Sequence, residues 1–134
     1  MPYSNTPQVN QLTSLLLTRG SCDVVVCPGS RNGIIVHNLH LLAENHPQRV
    51  RLHPVTDERS AGFVALGLAL ANGDAALTAV CVTSGSAVLA CLPAVAEAYF
   101  RHLPLLVISA DRPVWQIGQT DGQTLVQNGA FHPY

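Results

Sequence analysis

Short apolar runs alternate with longer helical patterns along this chain, and that alternation decides its fold class. Asp23–Cys27 (DVVVC) is rich in β-branched residues, follows Ser21 and stops at Pro28-Gly29, which predicts a strand buried on both faces. Ala76–Val82 (ALTAVCV) reads as another buried strand and Leu103–Ala110 (LPLLVISA) as the last one. Arg49–Val55 (RVRLHPV) alternates only over its first residues and is a weaker strand. Helices are predicted between them. Val9, Leu12 and Leu16 recur at helical spacing over Pro7–Arg19, with Pro7 near the first turn and Gly20 as the stop. A second helix is expected from about Asn32 to Glu44 and a third within Val55–Asn72. A fourth follows Thr83-Ser84-Gly85-Ser86, with Val88, Leu92, Val95 and Tyr99 on one stripe and Pro93 placed to kink it. Trp115–Tyr134 keeps no period and is expected to be loop with a short helix. The alternation predicts one α/β domain, residues 1–134, with a mostly parallel sheet and right-handed crossovers.

The surface of such a domain needs charge, and this chain has little. Charged residues are 11% of it, against about 25% in an average soluble domain, while 48% are hydrophobic. At least one large face is therefore expected to be covered by another domain or subunit. A net charge of -1 and the absence of Lys argue against nucleic acid as a partner. No stretch approaches the roughly 18 apolar residues of a membrane span, and MPYSNTPQVNQ has neither the basic start nor the apolar core of an export signal. A cytoplasmic location without membrane insertion is expected. Cys22, Cys27, Cys81 and Cys91 show no C-x-x-C spacing and sit in or beside apolar runs, as reduced core thiols do.

The unusual polar residues cluster after the strands. Pro28-Gly29-Ser30-Arg31, Thr56-Asp57-Glu58, Thr83-Ser84-Gly85-Ser86 and Asp111-Arg112-Pro113 each follow a predicted strand end. In a parallel sheet those loops share the rim where open α/β folds bind ligands. Glu58 stands at the mouth of a small-residue helix, VTDERSAGFVALGLALAN, that is expected to be buried. Burial there would raise its pKa and suit it to share or relay a proton. The plainer role is a first-turn acid or helix cap, which Asp57 fills first. Arg31 and Arg112 present guanidinium forks that match a carboxylate, so the rim suits a small anion; alternatively each pairs with a local acid such as Asp57 or Asp111. Ser30 and Ser86 can be N-caps and the glycines turn formers.

Several chemistries lack their motif. Thr83–Ser86 could cradle a phosphate at a helix start, but neither the P-loop nor the G-x-G-x-x-G fingerprint is present. His37 and His40 stand three apart without a third ligand, and His46, His53, His102 and His132 carry no signal beyond surface or loop histidine. No serine lies in G-x-S-x-G, and no cysteine has a neighbouring histidine in sequence.

Taken together, PGSRN at 28–32, TDERSAGFVALGLA at 56–69, TSGSA at 83–87 and SADRP at 109–113 resemble the pyrimidine-binding domain of thiamine-diphosphate enzymes. The acid before a small-residue helix and the T-S-G loop fit that whole superfamily. PGSR and ADRP resemble its menaquinone-biosynthetic branch. The resemblance covers nearly the whole chain and implies a three-layer α/β sandwich that binds thiamine diphosphate at Pro28, Gly29, Glu58, Thr83, Ser84 and Gly85. It implies that Glu58 hydrogen-bonds the pyrimidine N1' and favours the imino tautomer that activates the thiazolium carbon. It further implies decarboxylation of 2-oxoglutarate and addition of the succinyl-semialdehyde carbanion equivalent to isochorismate, with Ser30, Arg31, Arg112 and Gln123 lining the substrate pocket. Another carboligase or decarboxylase of the superfamily, or a non-catalytic dimerisation module, would share the fold; the two arginines favour dicarboxylate substrates. The chain departs from the pattern at Gly122-Gln123, where Asn-Gln is usual, and at Asn32-Gly33-Ile34, where a missing proline predicts a looser helix start. The G-D-G-type motif that holds the diphosphate and its Mg2+ or Mn2+ is not found here, so an N-terminal part of a longer homo-oligomeric enzyme, inert alone, is expected.

Overall fold

The computed structural model describes residues 3–134. The first two residues of the N-terminal segment lie outside them. Four strands, β1 (Ser21–Val26), β2 (Val50–Pro54), β3 (Ala76–Val82) and β4 (Leu105–Ser109), form one all-parallel sheet in the order β2-β1-β3-β4. Among the described residues five α-helices accompany them: α1 (Pro7–Thr18), α2 (Gly33–Asn45), α3 (Glu58–Asn72), α4 (Ser86–Ala90) and α5 (Leu92–Phe100). Adjacent registers tie the sheet centre together, with Val25 opposite both His53 and Val80, and Val80 opposite Val107.

Strand alternation divides the core in two. Val25, Cys27, Val80 and Val82 face Ala61 and Ala65 of α3 and Val88 of α4. Cys22, Val24, Ala79 and Cys81 face the opposite side, against Leu16 of α1 and Leu39 of α2. A sheet with a helical layer on each face is the three-layer arrangement, and each fully buried Val or Leu contributes about 1.5–3 kcal/mol to it. Burial on both faces explains why β1 and β3 read as continuous apolar runs.

The predicted kink is a break. α4 ends at Ala90 and α5 starts at Leu92, with Cys91 between them and Pro93 in the first turn of α5, where a missing N–H costs no hydrogen bond. The tail forms loop with one short 3-10 turn, Val114–Gln116. The helix start at Asn32 is not loose. Asn32 is buried, accepts from the Gly29 N–H at 2.8 Å and donates to the Cys27 carbonyl at 2.8 Å, which does the work of the missing proline. The expectation that the Val55–Asn72 segment is buried holds on one side only. Ala61, Gly62, Ala65 and Ala69 pack inward, whereas Phe63, Val64 and Leu70 are exposed, because a helix laid on a sheet buries one stripe.

His53 is more than a surface histidine. Asp23, 2% exposed in the middle of β1, takes a bidentate hydrogen bond from Arg51 (2.8 and 2.6 Å), lies 2.8 Å from His53 Nε2 and accepts from Asn72 at 2.9 Å. The Arg51 hydrogen bonds hold its carboxyl well below the usual carboxylate range against the opposing cost of burial, and those of His53 and Asn72 add to them. A depressed folded-state pKa stabilises the fold above the unfolded value near 3.9 and loses that contribution as pH falls below it. Asp23→Asn is expected to cost about 1–3 kcal/mol at pH 7, at the lower end because Arg51 is half exposed. Denaturant midpoints should show that cost shrinking below about pH 4. A deficit equal at both pH values would count against the charge network.

Candidate active site

Because all four strands are parallel, their C-terminal ends lie on one rim, and the strand order reverses between β1 and β3. That reversal opens the crevice in which such sheets bind ligands. The loop after β1 (28–32) and the loop after β3 (83–85) meet there. A Cβ on Gly29 would lie 2.6 Å from Thr83 Cβ, so glycine is what lets the two loops touch. Thr83 and Ser84 are buried, and Ser84 Oγ is enclosed without a hydrogen-bond partner. A buried hydroxyl left in that state fits a site completed by a ligand.

Glu58 opens α3 beside this crevice. Asp57 is the N-cap, its side chain accepting from the Ser60 N–H at 2.7 Å, so the capping duty falls where the sequence places it and Glu58 is released from it. Glu58 is half-buried, with its main-chain carbonyl 3.8 Å from Cys91 Sγ. Burial, and then the Glu58 charge, push the Cys27 thiol up to about 12 and the Cys91 thiol up to about 11. The wall behind the carboxylate is therefore neutral. All four cysteines are free and buried, in keeping with core thiols.

The fourth loop brings the arginine and the tail together. Arg112 Nη2 donates to the Gly122 carbonyl at 2.9 Å, Asp111 accepts from the Arg112 main-chain N–H at 2.7 Å, and Arg112 Nε is buried without a partner. Among the described residues Arg112 makes no ion pair, so the alternative of a local salt bridge is not what the structure adopts. Arg31 and Ser30 are exposed on the first loop. Neither Ser30 nor Ser86 caps a helix; Asn32 and Gly85 hold those positions. Gln123 is exposed, in the left-handed region at φ 60°, and its main chain lies against Gly85. His37 and His40 lie beside a hollow of about 610 Å³ that reaches this rim, lined also by Pro28 and Gly33 of the loop after β1 and by Leu52 and Pro54 of β2. His40 pairs with Glu44 at 3.2 Å.

Two residues at the rim escape sequence reasoning. Asn32, which ties the first loop, is an unremarkable polar residue after PGSR. Gln127 joins Gly85 to Ala110 through 2.6 and 3.0 Å hydrogen bonds, yet it lies in a tail without period, four residues from Gln123. No spacing distinguishes the two glutamines. Among the described residues no helix is long and apolar enough to cross a membrane.

Comparison with known proteins agrees with this geometry. The chain is similar to 2-succinyl-5-enolpyruvyl-6-hydroxy-3-cyclohexene-1-carboxylate synthase of Bacteroides thetaiotaomicron, 54% identical over 129 residues, which is 96% of this chain and 22% of that protein. It is similar to the synthase of the same name from Corynebacterium glutamicum, 52% identical over 109 residues (81% of this chain, 19% of that protein). The Mycobacterium leprae synthase is 43% identical over 127 residues, 95% of this chain and 22% of its own length. The chain thus spans about a fifth of the length of the curated relatives it matches. Residues 9–131 match the family model described as thiamine pyrophosphate enzyme, N-terminal TPP binding domain. With the acid-led helix, the paired loops at the strand-order reversal and this match in hand, the chain belongs to the N-terminal TPP-binding domain family of thiamine pyrophosphate enzymes.

Proposed function

We propose that this chain forms the pyrimidine-binding part of a synthase that decarboxylates 2-oxoglutarate and transfers the remaining four-carbon unit to isochorismate in menaquinone biosynthesis. The observation that carries it is the state of Glu58: half-buried, freed from capping by Asp57, and on the rim that also holds Arg31 and Arg112. The identity to synthases of that name supports the substrate pair. Thiamine diphosphate, when bound, supplies the carbon nucleophile that a protein side chain cannot. Glu58 would hold the proton on the pyrimidine ring nitrogen. Pro28, Gly29 and Thr83-Ser84-Gly85 would form the ring's seat, with Ser84 Oγ gaining the partner it lacks. Ser30, Arg31, Arg112 and Gln123 would orient the substrates, both of which are dicarboxylates, and the unpartnered Arg112 Nε is the donor available for that.

We assign the diphosphate and its Mg2+ or Mn2+ to the part of the enzyme corresponding to the other four fifths of the relatives' length. A homodimer or higher homo-oligomer, joined through the pyrimidine and diphosphate domains, is supported by the exposed Phe63, Leu70, Phe100 and Trp115, which need cover. Four buried free thiols support a cytoplasmic location.

The test is steady-state kinetics of the full-length protein with thiamine diphosphate and Mg2+. Carbon dioxide release should require both 2-oxoglutarate and isochorismate. Arg112→Ala should raise a substrate KM by about tenfold or more, the worth of a charge-assisted hydrogen bond, and leave thiamine diphosphate affinity unchanged. Release from another 2-oxo acid, or substrate constants indifferent to Arg112, would overturn the assignment.

A further inference from the structure

We propose that Gln127 is a positioning residue that locks the loop after β3, the end of β4 and the Gln123 segment into one arrangement, a role that rests on the function proposed above. Its side chain spans two strand ends. Oε1 accepts from the Gly85 N–H at 2.6 Å, and Nε2 donates to the Ala110 carbonyl at 3.0 Å. Gly85 is the residue from which α4 starts, and Ala110, buried, immediately precedes Asp111-Arg112. Ala110 is itself tied to β3 through its N–H to the Val82 carbonyl at 3.3 Å. A carboxamide carries an acceptor and a donor on one rigid plane, so it can satisfy an N–H and a C=O together; a carboxylate, hydroxyl or ammonium cannot do both in this way.

The same bond fastens the tail. Residues 122–127 cross the Gly85 loop, held at one end by Arg112 Nη2 on the Gly122 carbonyl at 2.9 Å and at the other by Gln127. Gln123 lies between these anchors with its main chain within 2.9 Å of where a Gly85 Cβ would be. Releasing Gln127 therefore frees the Gly85 N–H, loosens the main chain that carries Gln123 and unpairs the Ala110 carbonyl, two residues before Arg112. None of the three is Gln127's own contact with a ligand, which makes it a positioning and not a catalytic residue.

The test uses the full-length protein, Gln127→Leu and Gln127→Glu. Amide hydrogen exchange at Gly85 should accelerate about tenfold in Gln127→Leu, with the Val80 amide at the centre of β3 unchanged as the control for folding. Substrate KM should rise in both variants by more than kcat falls. Gln127→Glu separates the role from packing. Its ionised carboxylate can accept from Gly85 but cannot donate to Ala110, whereas the protonated acid can do both, so its activity relative to wild type should recover as pH is lowered from about 8 towards 5. Wild-type exchange at Gly85 in Gln127→Leu would overturn the proposal, as would faster exchange with unaltered KM in both variants or a Gln127→Glu deficit independent of pH. Should the wild-type protein fail to turn over 2-oxoglutarate with isochorismate, the functional assignment fails, and Gly85 exchange alone then decides whether Gln127 locks the loop.

Discussion

Glu58→Gln in the full-length protein is expected to lower turnover by about 10²- to 10⁴-fold, the range over which a positioned acid or base acts, with thermal stability almost unchanged. The small structural cost follows from the division of labour at the start of α3. Asp57 holds the cap through the Ser60 N–H, and the hydrogen bond of the Cys91 thiol is to the main-chain carbonyl of Glu58, so replacing the carboxylate removes neither. What is lost for stability is a first-turn charge, worth about 0.3–1 kcal/mol. The chemical cost is large because glutamine keeps the shape but gives up the proton: an amide can donate to a ring nitrogen without exchanging a proton with it. The neutral Cys27 and Cys91 thiols cannot substitute, since burial holds both high. The measurement is proton exchange at the thiazolium C2 of thiamine diphosphate alongside turnover and melting. Rapid exchange and wild-type turnover in the variant would remove Glu58 from the chemistry.

Much of this was legible in the sequence where backbone rules govern. β3 runs over Ala76–Val82 as its apolar residues predict, and α1 starts at Pro7, because strands buried on both faces and proline-started helices follow from local chemistry. The rim was legible for the same reason: once the strands are parallel, the loops after them share a side. Tertiary choices were not. Asp23 stands in an apolar run, and only the register that sets it against Arg51, with Asn72 arriving from α3, shows why a charge is tolerated there. The expectation that a small-residue helix is buried holds for one stripe of it, where small residues bring neighbours close. Gly62 lets α3 approach α5, with its Cβ position 3.1 Å from Ala94 Cβ, while Phe63 and Leu70 on the outer side stay exposed. The tail was opaque because its order comes from Gln127 and Arg112 contacts that carry no period.

Gly85→Ala is the substitution expected to damage the rim most among those outside the proton-handling group. Two independent costs coincide at this position. Its backbone lies at φ 78° and ψ -128°, a conformation that an L-residue adopts at about 1–3 kcal/mol. The added Cβ would also sit 2.6 Å from the Gln123 carbonyl oxygen and 2.9 Å from Gln123 C and Cα, main-chain atoms that cannot rotate aside as a side chain would. Nor can the segment slide, because Arg112 and Gln127 pin it on either side of the clash. Either the tail lifts and carries Gln123 and the Arg112 partner with it, or the loop after β3 sinks and distorts the seat made by Thr83 and Ser84. Both outcomes predict a loss of turnover of about tenfold or more together with a lower melting temperature. Gly33→Ala is the matched comparison. Gly33 also starts a helix on this rim, but it has no positive φ and nothing within 4 Å of its added Cβ, so stability should hold or rise by a few tenths of a kcal/mol. Equal behaviour of the two alanine variants would mean that the tail does not cross Gly85 in solution, and the close approach that joins Arg112, Gln123 and Gln127 into one site would have to be abandoned.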